Sequence, residues 1–188
     1  MPKDWNKNPW KTLKSSVVYD NPWIKVVEND VVNPVGGPGI YGVVHFKNIA
    51  VGVVPLDDDN NTWLVGQYRY TLNAYSWEIP EGGCLIGQET PLIAAQRELL
   101  EETGLKAERW TEVLKMHTSN SVTDEVAYTF LAKGLSVGLA QPEDTEELML
   151  RKLPFEEAFQ MCLKQEITDA FSVGSLFKVK YMLEQGGC

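Results

Sequence analysis

A helix with three acids at its unfavourable end constrains this chain more than any other feature. Thr90 followed by Pro91 reads as a helix start. A threonine side chain accepts from an early orphan N–H, and proline at the first helical position lacks only a donor that would go unused. Gly104 supplies the stop, because glycine takes the left-handed conformation at a helix C-terminus without a Cβ penalty. Between them, "PLIAAQRELLEET" sets Leu92, Ala95, Gln96 and Leu99 on one face and predicts a helix packed on the body of the fold. Glu101 and Glu102 then fall in the last turn, where the macrodipole is negative, and Glu98 lies one turn back on the same side. Taken alone, "ELLEE" reads as a solvated acidic face. A hard divalent cation gives it another meaning, since carboxylates one turn apart can converge on one ion and their repulsion changes sign.

Reading backward from the helix extends the pattern. It runs Gly83, five residues, Glu89, seven residues, then Arg97-Glu98-Leu99-x-Glu101-Glu102-x-Gly104-Leu105. This resembles the signature box of the Nudix hydrolases, with every specified position filled. The resemblance implies an α+β fold of the α/β/α sandwich type around a mixed sheet. It also implies hydrolysis of a nucleoside diphosphate linked to a second moiety, with water attacking one phosphorus while Mg²⁺, or Mn²⁺, spreads the developing charge. Glu98, Glu101, Glu102 and the backbone carbonyl of Gly82 are the metal ligands it implies, with Glu89 in support. Arg97 can orient a neighbouring carboxylate, Glu101 first, through a bidentate bond. The glycines of "PEGG" let the backbone approach such a site closely.

Specificity has to come from outside the box. "GQYRY" (66–70) followed by "WEIPEGG" (77–83) resembles the ADP-ribose and nucleoside diphosphate sugar pyrophosphatase branch. By that resemblance Arg69 contacts a substrate phosphate or the metal-binding helix, and Glu78 shapes the site. Many ADP-ribose enzymes carry a proline turn after the box. Here "HTSNSVTDEVAYTFLAKGL" has none near Ser119-Asn120-Ser121, which favours a nucleoside diphosphate sugar over ADP-ribose. The resemblance places a specificity loop from His117 onward, with Ser119 as a substrate contact. It makes Trp23 and Tyr41 candidates for stacking on the base, although each also reads as a core or interface aromatic. It further implies a homodimer in which the N-terminal strands complete the partner's pocket. The base that activates water is expected on an acidic loop. "PEDTEEL" (142–148) offers Glu146 first, then Glu143, Asp144 and Glu147, and the earlier Asp124-Glu125 makes Glu125 the second choice.

The remaining pattern frames that site. Strand-like runs at "SSVVYD", "WIKVVENDVV", "GIYGVVHF", "NIAVGVVPL" and "TWLVGQYRY" precede the helix. Strands at "TEVLKM", "EVAYTFLAKGL" and "ELMLRKL" and helices at "PFEEAFQMCLKQ" and "SVGSLFKVKYMLEQ" follow it. Strands first, then mixed elements, read as α+β. The expected division is an arm and small antiparallel sheet over 1–46 and a catalytic domain over 47–188, with Trp5 and Trp10 in the polar arm. A formal net charge of −9 argues against sequence-independent nucleic-acid binding. No run reaches membrane-spanning length. Three scattered cysteines, Cys84, Cys162 and Cys188, offer no disulfide framework, so a reducing cytoplasm is the expected setting. His45 and His117 have no neighbour at zinc spacing. The leading expectation is therefore a Mg²⁺-dependent hydrolase that cuts a nucleoside diphosphate sugar into a nucleoside monophosphate and a sugar 1-phosphate. ADP-ribose is the alternative substrate, and a non-catalytic nucleotide-sugar sensor is the alternative class.

Overall fold

The computed structural model describes residues 6–138 and 147–186. Two compact units share the chain, and each takes residues from separate stretches. One joins 6–47 to Ser119–Glu125, and the other joins Asn48–Thr118 to the residues from Val126 onward. The expected boundary near residue 46 therefore lacks one element, the short excursion 119–125.

The first unit is an antiparallel sheet in the order β1 (Lys11–Asp20), β2 (Ile24–Val32), β3 (Pro38–Phe46). Asparagines make both turns. Asn21 Oδ1 accepts from the N–H groups of Trp23 and Ile24, and Asn33 Oδ1 accepts from those of Val35 and Gly37. The excursion lies along β3 in parallel. Val44 donates to Val122 O at 2.9 Å, Phe46 N–H donates to Asp124 Oδ1, and the Tyr41 hydroxyl donates to Ser121 O at 2.8 Å. His45 Nδ1 and Asp124 Oδ2 stand 2.6 Å apart. The edge of β3 is thus covered around Val44 rather than left there as a template for foreign strands.

The second unit holds two sheets. The first runs β7 (Glu81–Leu85), β4 (Asn48–Pro55), β9 (Ala127–Val137), β8 (Leu105–Met116), with β4 and β9 parallel and the other pairs antiparallel. The second runs β10 (Met149–Pro154), β5 (Asn61–Arg69), β6 (Ala74–Glu78), all antiparallel. Alternation along β4 divides the core. Val51 and Val53 pack with Ala94, Ala95 and Leu99 of helix α1 (Pro91–Thr103). Val54 joins Ile79, Leu131, Leu176 and Val179 on the side of α2 (Phe155–Leu163) and α3 (Ala170–Glu184). This is the expected mixed sheet between helical layers, with the separate N-terminal antiparallel sheet beside it in the chain.

Two local readings need correction. The buried face of α1 consists of Ala94, Ala95, Leu99, Glu102 and Thr103, whereas Gln96 is exposed and Leu92 keeps 37% of its surface in solvent. The stripe is rotated toward the small residues, which let the helix approach β4 closely. Strands β6 and β7 were not expected, because "EGGCL" carries two glycines and scores poorly as a strand. Pairing with β4 overrides that local preference.

The β4–β5 turn is fixed by Asp57. Its Oδ1 accepts from the N–H groups of Asp59 and Asn61, and its Oδ2 stands 2.8 Å from Lys152 Nζ. Burial opposes the charge, but Lys152 and the Asn61 N–H outweigh it and lower the carboxyl to about 2 from 3.8. A group depressed in the folded state stabilises above its unfolded value, and that contribution is lost as pH falls through the folded one. Asp57→Ala is expected to lower stability by about 1–2 kcal/mol at pH 7. Urea unfolding of the two proteins should converge between pH 4 and pH 2.

Candidate active site

Helix α1 begins and ends as its sequence dictates. Thr90 is extended and its hydroxyl accepts from Ile93 N–H. Gly104 is left-handed at φ 69°, and its N–H closes on Leu100 O at 2.9 Å. The last turn contains no basic residue, so the acids there are not offset by their own helix end.

Arg97 offsets them from one turn back. Its Nη1 donates to Glu98 Oε1 at 2.8 Å and to Glu101 Oε2 at 2.9 Å. Its Nη2 donates to Glu89 Oε1 at 3.0 Å and to Gly83 O at 2.9 Å. The expected bidentate pair with Glu101 alone is therefore replaced by a four-way bridge, because both ends of the fork are shared. Burial opposes the Arg97 charge, but the three carboxylates more than compensate and raise its pKa. The same hydrogen bond lowers the Glu89 carboxyl, while burial pushes Glu98 up against the pull of Arg97. A cleft of about 550 Å³ opens here, lined by Asn48, Gly83, Glu89, Arg97, Glu98 and Glu101.

The start of β7, just before the box, presses on the helix. A Cβ on Gly82 would lie 2.2 Å from the Glu98 carboxyl, so any side chain there would push that carboxyl aside. Next to it, Glu81 N–H donates to Glu102 Oε2 at 2.9 Å. The Glu81 side chain turns to a second arginine. Arg69 Nη2 donates to Glu81 Oε1 at 3.1 Å, and Arg69 Nε donates to both oxygens of Glu78 at 2.9 and 3.1 Å. Glu78 is buried. Burial, then Asp169 and Glu78, push the Glu81 carboxyl well above the ordinary range, with Glu102 adding and Arg69 opposing. Its other oxygen, Oε2, is buried and has no hydrogen-bond partner.

Among the described residues, no three His, Cys, Asp or Glu side chains converge as a ready cage for a metal. Arg97 gathers Glu89, Glu98 and Glu101 toward itself, and Glu102 turns to the Glu81 N–H. The donor chemistry nonetheless fits a hard divalent ion. The ligands on offer are carboxylate oxygens, the backbone at Gly82 comes within contact of Glu98, and one buried carboxylate oxygen lacks a partner.

The other expected site residues divide between the units. Arg69 and Glu78 form one ion pair, which positions the guanidinium. Trp23, Tyr41, Ser119 and Glu125 belong to the N-terminal unit. Trp23 is 66% exposed, Tyr41 is engaged with Ser121, and Ser119 O accepts from Val122 and Thr123. Glu125 N–H donates to Thr123 Oγ1. Glu146, the first choice as base, lies outside the described residues with Glu143 and Asp144, whereas Glu147 is described and exposed. Sequence reasoning missed Glu81, Asp169 and the His45–Asp124 pair. Asp169 left one signal, an N-cap residue before a helix, and its carboxylate does accept from Ser172 N–H.

The Nudix domain model matches residues 46–171, two thirds of the chain. The chain belongs to the Nudix family. As a Nudix protein with this box it is a pyrophosphohydrolase of the nucleoside diphosphate sugar or ADP-ribose type, in a family that typically uses a divalent metal. Residues 10–44 match the nucleoside diphosphate sugar hydrolase N-terminal domain. An ADP-ribose pyrophosphatase of Mycobacterium tuberculosis is 31% identical over 92% of this chain and 84% of its own. One from Bacillus subtilis is 32% identical over 85% and 86%. A crystal structure described as an ADP compounds hydrolase superposes with a TM-score of 0.84 over 96% of this chain and 98% of that one, at 22% identity, and so shares the fold.

Glu102→Gln tests the helix carboxylates. The amide oxygen can keep the Glu81 N–H bond while the charge is lost. Turnover with divalent cation is expected to fall about 10³-fold, with an unchanged circular-dichroism melt in EDTA. Near-normal turnover would remove Glu102 from the metal set.

Proposed function

We propose that this Nudix enzyme hydrolyses the pyrophosphate of a nucleoside diphosphate sugar to a nucleoside monophosphate and a sugar 1-phosphate, with Mg²⁺ or Mn²⁺ as cofactor. The observation that carries the reading is the N-terminal match to the nucleoside diphosphate sugar hydrolase domain, joined in one chain to a complete box. Glu98, Glu101, Glu102 and the Gly82 carbonyl would hold the cation. Bound there, it supplies the positive charge that lets a pyrophosphate approach an acidic helix and stabilises the phosphate that leaves. Arg97 keeps the carboxylates from repelling one another until then. Arg69, fixed by Glu78 and Glu81, presents its guanidinium to a substrate phosphate. Ser119, Trp23 and Tyr41 would contact the remainder of the substrate. ADP-ribose is the second reading, favoured by the two pyrophosphatase relatives. A panel of nucleoside diphosphate sugars, ADP-ribose and dinucleoside polyphosphates, assayed with Mg²⁺ for monophosphate release, separates the two. Preference for ADP-ribose would overturn the first. In the same assay, Glu146→Gln is expected to lower kcat by about 10²–10⁴ with little change in KM, as loss of a general base does. The same loss in Glu125→Gln alone would assign the base to the earlier loop.

The N-terminal sheet supports a homodimer. Leu13, Val17, Val18 and Tyr19 of β1 are all more than half exposed, an apolar surface that monomers seldom carry. In the same unit a cavity of about 280 Å³ is lined by Trp10, Tyr41, Asn8 and Asn29, with Trp10 edge-on to Tyr41 at 5.2 Å. Sedimentation at micromolar concentration is expected to show a dimer. A fully active monomer would overturn it. No helix among the described residues is long and apolar enough to cross a membrane. Buried free thiols at Cys84 and Cys162 support a reducing cytoplasm as the setting.

A further inference from the structure

We propose that Glu81, the first residue of β7 and just ahead of the box, is a further side-chain ligand for the divalent cation through its Oε2 oxygen. The proposal deepens the reading of the site given above and rests on it only for the presence of a divalent ion. The residue lies outside the helical carboxylate set, and three observations single it out.

First, Oε2 is buried and has no hydrogen-bond partner, although its sister oxygen is held by Arg69 at 3.1 Å. Neither form of the carboxyl is satisfied by protein groups. A bare oxygen there has no donor, and a protonated one has no acceptor. Buried polar atoms are seldom left so, and an oxygen of this kind suits a hard cation.

Second, Glu81 is tied to the box by its own backbone. Its N–H donates to Glu102 Oε2 at 2.9 Å, and the next residue, Gly82, is in contact with the Glu98 carboxyl. The start of β7, residues 81–83, therefore reaches both Glu98 and Glu102. A side chain from that strand end can join the helix acids without any change of register.

Third, the local charge is out of balance. The carboxylates of Glu78, Glu81 and Glu102 gather around residues 78–81, with Glu102 Oε2 accepting from the Glu81 N–H. Arg69 is already shared by Glu78 and Glu81. Carboxylates that are buried or mostly so, in excess of their arginine, need a second positive partner. Arg97 does not fill that place, because its donors go to Glu89, Glu98, Glu101 and Gly83 O.

The test is binding of Mn²⁺ to the full chain without substrate, followed by calorimetry and by the paramagnetic signal of free Mn²⁺. Glu81→Gln keeps the side-chain volume and an oxygen able to accept from Arg69. It is expected to weaken Mn²⁺ about 10- to 100-fold or to lose one equivalent, with an unchanged or raised melting temperature in EDTA. An unchanged isotherm from this folded variant would overturn the proposal. Should Glu81→Gln not fold, Glu81→Asp decides, since it keeps the charge but withdraws the oxygen by one methylene. Weakened Mn²⁺ binding supports the proposal, and wild-type binding overturns it. Failure of the nucleotide-sugar reading would show in the product panel and leave these isotherms untouched.

Discussion

Arg97 is the interaction on which the rest of the site depends. One guanidinium holds Glu89 from the loop, Glu98 and Glu101 from the helix, and the carbonyl of Gly83 from β7. It thereby joins helix, loop and sheet edge while relieving repulsion that the helix end itself cannot relieve. The helix is placed for this by small residues. Ala94 and Ala95 let α1 lie close on Val51 and Val53, which brings its acidic side within reach of Gly82 and Gly83. Packing and chemistry thus constrain each other. A larger residue at Gly82 would collide with Glu98, and a longer one at Ala94 would lift the helix from the sheet.

A second arginine repeats the device on the other side of the loop. Arg69 binds Glu78 and Glu81 from consecutive elements, and Asp169 caps α3 nearby in the electrostatic field. The two clusters meet at residues 81–83, where one residue faces Glu102 and its neighbour faces Glu98. A short, glycine-rich segment is what allows both approaches.

Much of this was legible in the sequence because it is local. Thr90, Pro91 and Gly104 mark the helix ends, and the spacing of Glu98, Glu101 and Glu102 marks the chemistry. What was not legible depends on distant pairing. β7 is a strand only because β4 lies beside it. Glu81 was read through its glycine neighbours, since nothing local tells that its carboxylate meets Arg69, twelve residues earlier. The rotated core stripe of α1 likewise follows from the sheet it packs on rather than from hydrophobicity along the helix.

The excursion along β3 has a consequence for how the chain is made. His45 and Asp124 are separated by 79 residues. At ordinary rates of synthesis that interval takes about 4–16 s. For that time the nascent N-terminal sheet has been made, but the segment that shields the Val44 end of β3 has not. An open strand edge invites pairing with whatever extended chain is near, and on a polysome the nearest is another copy of the same sequence. The covered edge of the finished protein is thus an exposed one during its birth.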